Sequence, residues 1–364
     1  MAERQAPFAG RKVLFRADGS PRLGLGHIMR CLALAEGLQE RGTVPVFLVR
    51  DEDPAVIDRV KRAGYHVEVL PKAPAQADER RVIERLFSSS DGLPRLVVTD
   101  LCNSDMLADL DTYRCYLDSL KGMSADLVTI DDLNTFAFPS DVVVNPNCGA
   151  ERLPYQRSSS ATYLLGPRYF LFRQEFREAA AKPRAIRSQA NRVVVSLGGG
   201  DAHRTTEKVL SALLEVHRRQ PLEVQVALGL QTAEALRLQE VLGGFSGQCR
   251  VLESGKENLA DLFLWCDVAI IGGGLTKYEA AVTGTPAIVL SQVEHQWDIM
   301  QAFAETGAAQ HLGRAWGVGK EETANAISRL LADEPRRQAM SQAGKALVDG
   351  KGVERVVGVI AGIG

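Results

Sequence analysis

The first residue whose surroundings suggest chemistry is a histidine placed directly after a glycine pair. In RADGSPRLGLGHIMR (16–30), His27 follows Gly24-Leu25-Gly26 where a β-rich run gives way to a helical pattern. Glycines let backbone amides approach an anion, and the helix that follows offers its positive end, so phosphate is the first ligand to consider. The same positive potential favours the neutral imidazole that a general base requires. Capping the helix or binding the phosphate are the competing uses of a histidine in such a turn.

Two further strands run into glycine turns, SLGGGDAHR with Gly199 and Gly200, and IIGGGLTKYE with Gly273, Gly274, Leu275 and Thr276. One such turn is explained by tight strand-to-helix geometry alone; three in one chain favour a bound phosphate. Neither GxxxxGK[ST] nor a third glycine after Gly24 and Gly26 is present, which sets aside a P-loop nucleotidase and moves nicotinamide and flavin cofactors down the order. No cofactor is expected. Glu279 falls in the first turns of the helix opened by the third loop, where a carboxylate either accepts from two ribose hydroxyls or simply complements the helix end. Asp100, Asp131 and Asp132 end predicted strands, where turn capping is their default role and lining the cleft the alternative. Asp53-Pro54 reads as a helix cap with proline at the first helical position rather than as a metal-binding DxD. Lys277 reads as a solvated helix lysine, with offsetting phosphate charge the alternative. The other histidines show no metal-ligand spacing, and no metal site is expected.

The elements that must position these residues follow a βα rhythm. VLFRA, VPVFLV and RLVVTD each precede a helical pattern, and DLVTIDD, DVVVNPN and TYLLGP follow closely. The polar segment AKPRAIRSQAN (181–191) lacks apolar periodicity and is the expected linker. Beyond it the rhythm restarts with NRVVVSLGGG, LEVQVALG, CRVLE, DVAIIGGG and PAIVLS. A chain of 364 residues exceeds what one core usually supports. The expected domains are 11–181, 191–335 and a C-terminal helical stretch, 336–364, that could return to the first. With 43 basic against 45 acidic side chains, no nucleic-acid-binding face is expected. No stretch is long and apolar enough for a membrane span, and with a polar start and scattered cysteines the chain reads as cytoplasmic. Oligomeric state is not legible.

RADGSPRLGLGHIMRCLALA resembles the opening of the UDP-diacetamido-trideoxy-altropyranose hydrolases of pseudaminic acid synthesis and their spore-coat polysaccharide relatives. The resemblance continues through IDDLNTFAFPSDVVVNPN, LLGPRYFLFRQEF, SLGGGDAHRTTEKVL, the GGG-xxx-YEA segment and ALVDGKGVERVV. It implies an α/β protein of the glycosyltransferase-B fold, with two Rossmann-like parallel-sheet domains facing a cleft, similar to the MurG-like transferases but with water in place of the sugar acceptor. It further implies that His27 activates water, without a metal, for inverting attack on a UDP-linked amino-deoxy sugar. Asp18, Gly24, Gly26 and Arg30 would then line the substrate side, and Gly199, Gly200, Gly273, Gly274, Leu275 and Thr276 the diphosphate. Glu279 would take the ribose, the segment around Leu252 the uracil, and Gln296 the sugar. Two departures, glycine for serine in Gly198-Gly199-Gly200-Asp201 and Leu275-Thr276-Lys277 for a small-hydroxyl pattern, leave the sugar open. A transferase on the same scaffold is the alternative, and a silent nucleotide-sugar binder a third.

Overall fold

The computed structural model describes residues 9–19, 25–50, 53–71, 76–88, 95–101, 109–123, 125–158, 160–198, 204–228, 238–253, 258–294 and 297–363. The chain divides into two compact units, one of residues 1–174 with 351–364, the other of 175–350.

In the first unit, β1 (Lys12–Ala17), α1 (Gly26–Gln39), β2 (Val44–Arg50), α2 (Pro54–Arg62), β3 (His66–Leu70), α3 (Gln76–Ser88), β4 (Arg95–Asp100), α4 (Leu110–Gly122), β5 (Ala125–Ile130), β6 (Val142–Asn145) and β7 (Thr162–Leu165) alternate as the sequence pattern requires. All strands pair in parallel, in the order β3-β2-β1-β4-β5-β6-β7. The chain therefore leaves β1 toward one side of the sheet and later crosses to the other, making the gap between the ends of β1 and β4 a topological switch point. Asp53 caps α2 as expected, accepting from Ala55 N at 2.9 Å.

Helix α1, GHIMRCLALAEGLQ, is apolar nearly all round because it is covered on two sides. Val13, Phe15, Leu96 and Val98 of the sheet form one wall of its core cluster; Val353, Val356, Val357 and Ile360 of the C-terminal helix form another. Burying each such side chain stabilises the unit by roughly 1.5–3 kcal/mol relative to leaving it exposed.

The second unit contains α5 (Gln174–Ala180), β8 (Arg192–Ser196), α6 (Thr205–His217), β9 (Glu223–Leu228), α7 (Gln239–Gly243), β10 (Cys249–Glu253), α8 (Leu259–Trp265), β11 (Val268–Gly272), α9 (Thr276–Val282), β12 (Ala287–Ser291), α10 (Trp297–Ala304), β13 (Gln310–Arg314), α11 (Lys320–Ala332) and α12 (Glu334–Leu347). Helix α5 begins at Gln174, the last residue of the first unit. The second sheet is also parallel, with the order β10-β9-β8-β11-β12-β13. Its switch point lies between β8 and β11, the two strands that run into glycine turns. The fold is thus α/β with two Rossmann-like parallel sheets. Among the described residues no helix is long and apolar enough to cross a membrane.

The segment 181–191, expected as a linker, is fastened to the second unit. Arg184 donates to the carbonyls of Phe263, Leu264 and Cys266 at the end of α8, and Arg187 forks onto Asp267. Buried Arg337 of α12 donates to the carbonyls of Leu330, Leu331, Arg187 and Ser188. These arginines satisfy helix-end carbonyls that otherwise lack partners. Only α13 (Gly352–Ile360) and its flanks group with the first unit; α12 stays with the second.

Gly352 opens α13 directly against the chain before it. A Cβ there would stand 2.1 Å from the Phe170 carbonyl oxygen and 2.7 Å from Tyr169 C. Backbone cannot yield as a flexible side chain does, so Gly352→Ala is expected to destabilise the first unit by about 1–3 kcal/mol. Thermal unfolding followed by circular dichroism should show a midpoint several degrees lower; an unchanged midpoint would mean that α13 is not seated against Phe170.

Candidate functional site

Helix α1 starts at Gly26, and its N-cap residue, Leu25, offers no side-chain acceptor to the first-turn amides. His27 is the second residue of that helix and is buried. Its Nδ1 lies 2.7 Å from Oδ1 of Asp100, the last residue of β4, so the pair spans the switch point of the first sheet. A carboxylate only accepts, so Nδ1 carries the ring proton and Nε2 is left as the basic nitrogen.

Arg30, one turn further along α1, holds that carboxylate in place. Nε donates to Asp100 Oδ2 and Nη2 to Oδ1 at 2.7 Å. The other edge of the guanidinium grips Asp132, with Nη1 donating to Oδ1 at 2.8 Å and Nη2 to Oδ2 at 3.0 Å. Asn147 Nδ2 donates to Asp132 Oδ1 at 2.7 Å. Arg30 Nη2 is also 3.2 Å from His27 Nδ1; both are donors that converge on Asp100 Oδ1. Burial pushes the Asp100 carboxyl up, but the charge of Arg30 and then the contact with His27 outweigh it, holding the group below its ordinary range. Burial likewise raises Asp132, and Arg30 brings it down to about 2. Both carboxylates are therefore ionised at neutral pH.

Asp131 and Asp132 take opposite roles. Asp131 accepts from the amides of Leu133 and Asn134 and from the Tyr155 hydroxyl, which makes it the turn-capping aspartate of the three expected cappers. Burial is the main reason that its carboxyl sits above the usual range. Asp100 and Asp132 are instead charge partners of Arg30.

Asp18, just beyond β1, is buried in a separate charge cluster. Its Oδ1 accepts from Arg16 Nη1 at 2.6 Å and from the Arg50 amide at 3.1 Å. Arg16 also donates to Glu79, which accepts from the Tyr116 hydroxyl as well.

In the second unit, Gly272 ends β11 so close to the end of β8 that a Cβ would stand 2.6 Å from the Leu197 carbonyl oxygen. Gln292, after β12, donates to that same carbonyl at 3.3 Å. The exits of β8 and β11 are thereby packed together. Lys277 departs from the expectation of a solvated lysine. It is 4% exposed, donates to the carbonyls of Gly273 and Gly274 at 2.8 and 3.0 Å, and lies over the Tyr278 ring. Its short helix turns the ammonium back onto the preceding loop.

His27, Gly26 and Arg30 thus come together at one switch point, and Gly273, Gly274, Leu275, Thr276 and buried Glu279 lie at the exit of β11. Leu252 is buried on edge strand β10, two strands away from β8. Gly24, Gly199, Gly200 and Gln296 lie outside the described residues. Arg30 was expected against substrate, yet both edges of its guanidinium are occupied by carboxylates. Asp100, expected as a turn cap with a place lining the cleft as the alternative, is the partner of His27 that the sequence reading did not identify. The available signal was a carboxylate closing the apolar run RLVVTD, in a strand that the doubly wound order sets beside β1.

No protein-family model matches the chain. It is 28% identical to the spore coat polysaccharide biosynthesis protein SpsG of Bacillus subtilis over 351 residues, 94% of this chain and 96% of that protein. Among solved structures it is similar to MurG of Acinetobacter baumannii, with a TM-score of 0.67 and 14% identity, covering 97% of this chain and all of the other. It is also similar to a UDP-glucosyltransferase of Polygonum tinctorium, with a TM-score of 0.66 and 14% identity over 96% of this chain and 98% of the other. The fold is accordingly the glycosyltransferase-B fold.

Proposed function

We propose that the protein hydrolyses a UDP-linked amino-deoxy sugar, with His27 as general base, releasing UDP and the free sugar. The observation that carries this reading is the hydrogen bond between His27 Nδ1 and Asp100 at the β1/β4 switch point, because it leaves Nε2 to take a proton. Water gives that proton to Nε2 as its oxygen bonds to the anomeric carbon. The bond from that carbon to the diphosphate oxygen breaks, and its electron pair leaves with UDP. Asp100 stabilises the imidazolium that forms, which then returns its proton to solvent.

Charge developing on the leaving diphosphate requires donors and positive potential. The glycine exits of β8 and β11, with the Lys277 ammonium folded onto Gly273 and Gly274, are the groups proposed to meet it. Glu279 is proposed for the ribose hydroxyls and Gln296 for the sugar. The likeness to a polysaccharide biosynthesis protein favours a sugar destined for a surface glycan, and a 2,4-diacetamido-2,4,6-trideoxy hexose is the first candidate.

Transfer to an acceptor is the second reading, favoured by the similarity to a UDP-glucosyltransferase. The two readings separate on one requirement. Purified protein incubated with the UDP-linked diacetamido sugar, without acceptor or added metal, is expected to release UDP with multiple turnovers by mass spectrometry. Release only when an acceptor is supplied would establish transfer instead.

A further inference from the structure

We infer that Asp132 and Asn147 are positioning residues for the candidate site, fixing the tautomer of His27 through Arg30 and Asp100 without touching the histidine. The general-base reading above supplies the reason for such a device, while the contacts that compose it stand independently.

A general base on Nε2 requires the ring proton to stay on Nδ1, and therefore a carboxylate oxygen that stays opposite Nδ1. Left alone, an Asp side chain has a broad terminal torsion and cannot guarantee that. Arg30 removes the freedom by gripping both oxygens of Asp100 along its Nε and Nη2 edge. Arg30 is itself long and rotamer-rich, so clamping one end moves the question outward. Its second edge is clamped by Asp132, and Asp132 by Asn147. Asn147 is anchored in turn: its backbone N–H and its Nδ2 both donate to Asn145 Oδ1 at 3.1 Å, and Asn145 Nδ2 donates to the Tyr155 hydroxyl at 2.9 Å. The relay thus draws Asp100, Asp132 and Asn147 from the exits of β4, β5 and β6, consecutive neighbours in the sheet.

The charges point to positioning rather than proton conduction. The cation of Arg30 keeps both of its carboxylates ionised, so no member of the relay between His27 and Asn147 has a proton to pass at neutral pH. Only a planar fork with two usable edges makes this geometry, which a lysine cannot reproduce.

The test is 15N-histidine NMR of the ligand-free protein together with steady-state kinetics. The wild-type spectrum is expected to show His27 in the Nδ1–H form. In Asp132→Asn and Arg30→Lys an Nε2–H population should appear, with kcat falling about tenfold or more and KM within about threefold. Asn147→Ala removes no charge, and should move both readouts the same way but less; it carries the test if the charge variants fail to give a cooperative unfolding transition. An unchanged tautomer in the folded variants would overturn the inference. So would a raised KM at constant kcat, which would make Asp132 a substrate contact. If the wild type turns over no nucleotide sugar, hydrolysis fails as a function while the NMR result still decides the role of the relay.

Discussion

Replacing His27 with alanine is expected to lower turnover by on the order of 10²–10⁴-fold while leaving nucleotide binding within about threefold of wild type. The split follows from where the residue sits. His27 belongs to the first turn of α1, whose seat is made by Ile28, Leu32, Ala35 and Leu38 and not by the imidazole. Removing the ring leaves Asp100 still paired with Arg30, so no buried charge is orphaned. UDP release measured alongside calorimetric titration with UDP separates the two effects. A matching loss of affinity would place His27 on the phosphate instead, the role that an imidazole at a helix start also permits.

The second large effect is expected at Asp100→Asn. The substitution preserves volume but presents an amide N–H or carbonyl where two carboxylate oxygens stood. With its single carbonyl against His27, the amide sets its N–H against Arg30 Nε and the clamp is lost; with the carbonyl against Arg30 Nε, the amide N–H faces His27 Nδ1 and favours the Nε2–H ring. That ring cannot accept a proton from water. Tautomer loss of this kind costs about 10⁴-fold in the serine-protease triad, and a fall of at least about 10²-fold is expected here. KM should change little, and thermal unfolding should remain cooperative because Arg30 retains Asp132. Activity within a few-fold of wild type would mean that the imidazole is oriented by something other than Asp100.

Much of the architecture was legible because parallel strands buried on both faces read as continuous apolar runs. VLFRA, RLVVTD, RVVVS and DVAIIG are of this kind. The strands passed over are β3, HVEVL, and β13, QHLGR, both at sheet edges and only partly covered, so neither carries such a run. The segment 181–191 looked like a linker because its work is done by arginines reaching helix-end carbonyls, a function with no apolar period. Its polarity marked solvent contact in the sequence, whereas Arg184 and Arg187 spend their charge on α8 and Asp267.

At the site, His27 was legible from local grammar, since a glycine pair, a histidine and a helix are contiguous. Its partner was not, because 73 residues separate His27 from Asp100 and only the crossing of the chain from β1 to β4 joins them. Lys277 misled for a related reason. Nothing in its spacing shows that the helix folds its ammonium back onto the glycine loop.

Turnover in 18O-labelled water, with mass analysis of the UDP, shows whether water activated by His27 attacks the anomeric carbon. Attack at carbon leaves the diphosphate oxygen on UDP, so the expected product is unlabelled UDP, released without an acceptor and lost in His27→Ala. UDP carrying 18O would place the attack on phosphorus, and absence of UDP until an acceptor is added would make the protein a transferase; either result rules out His27-assisted hydrolysis at the anomeric carbon.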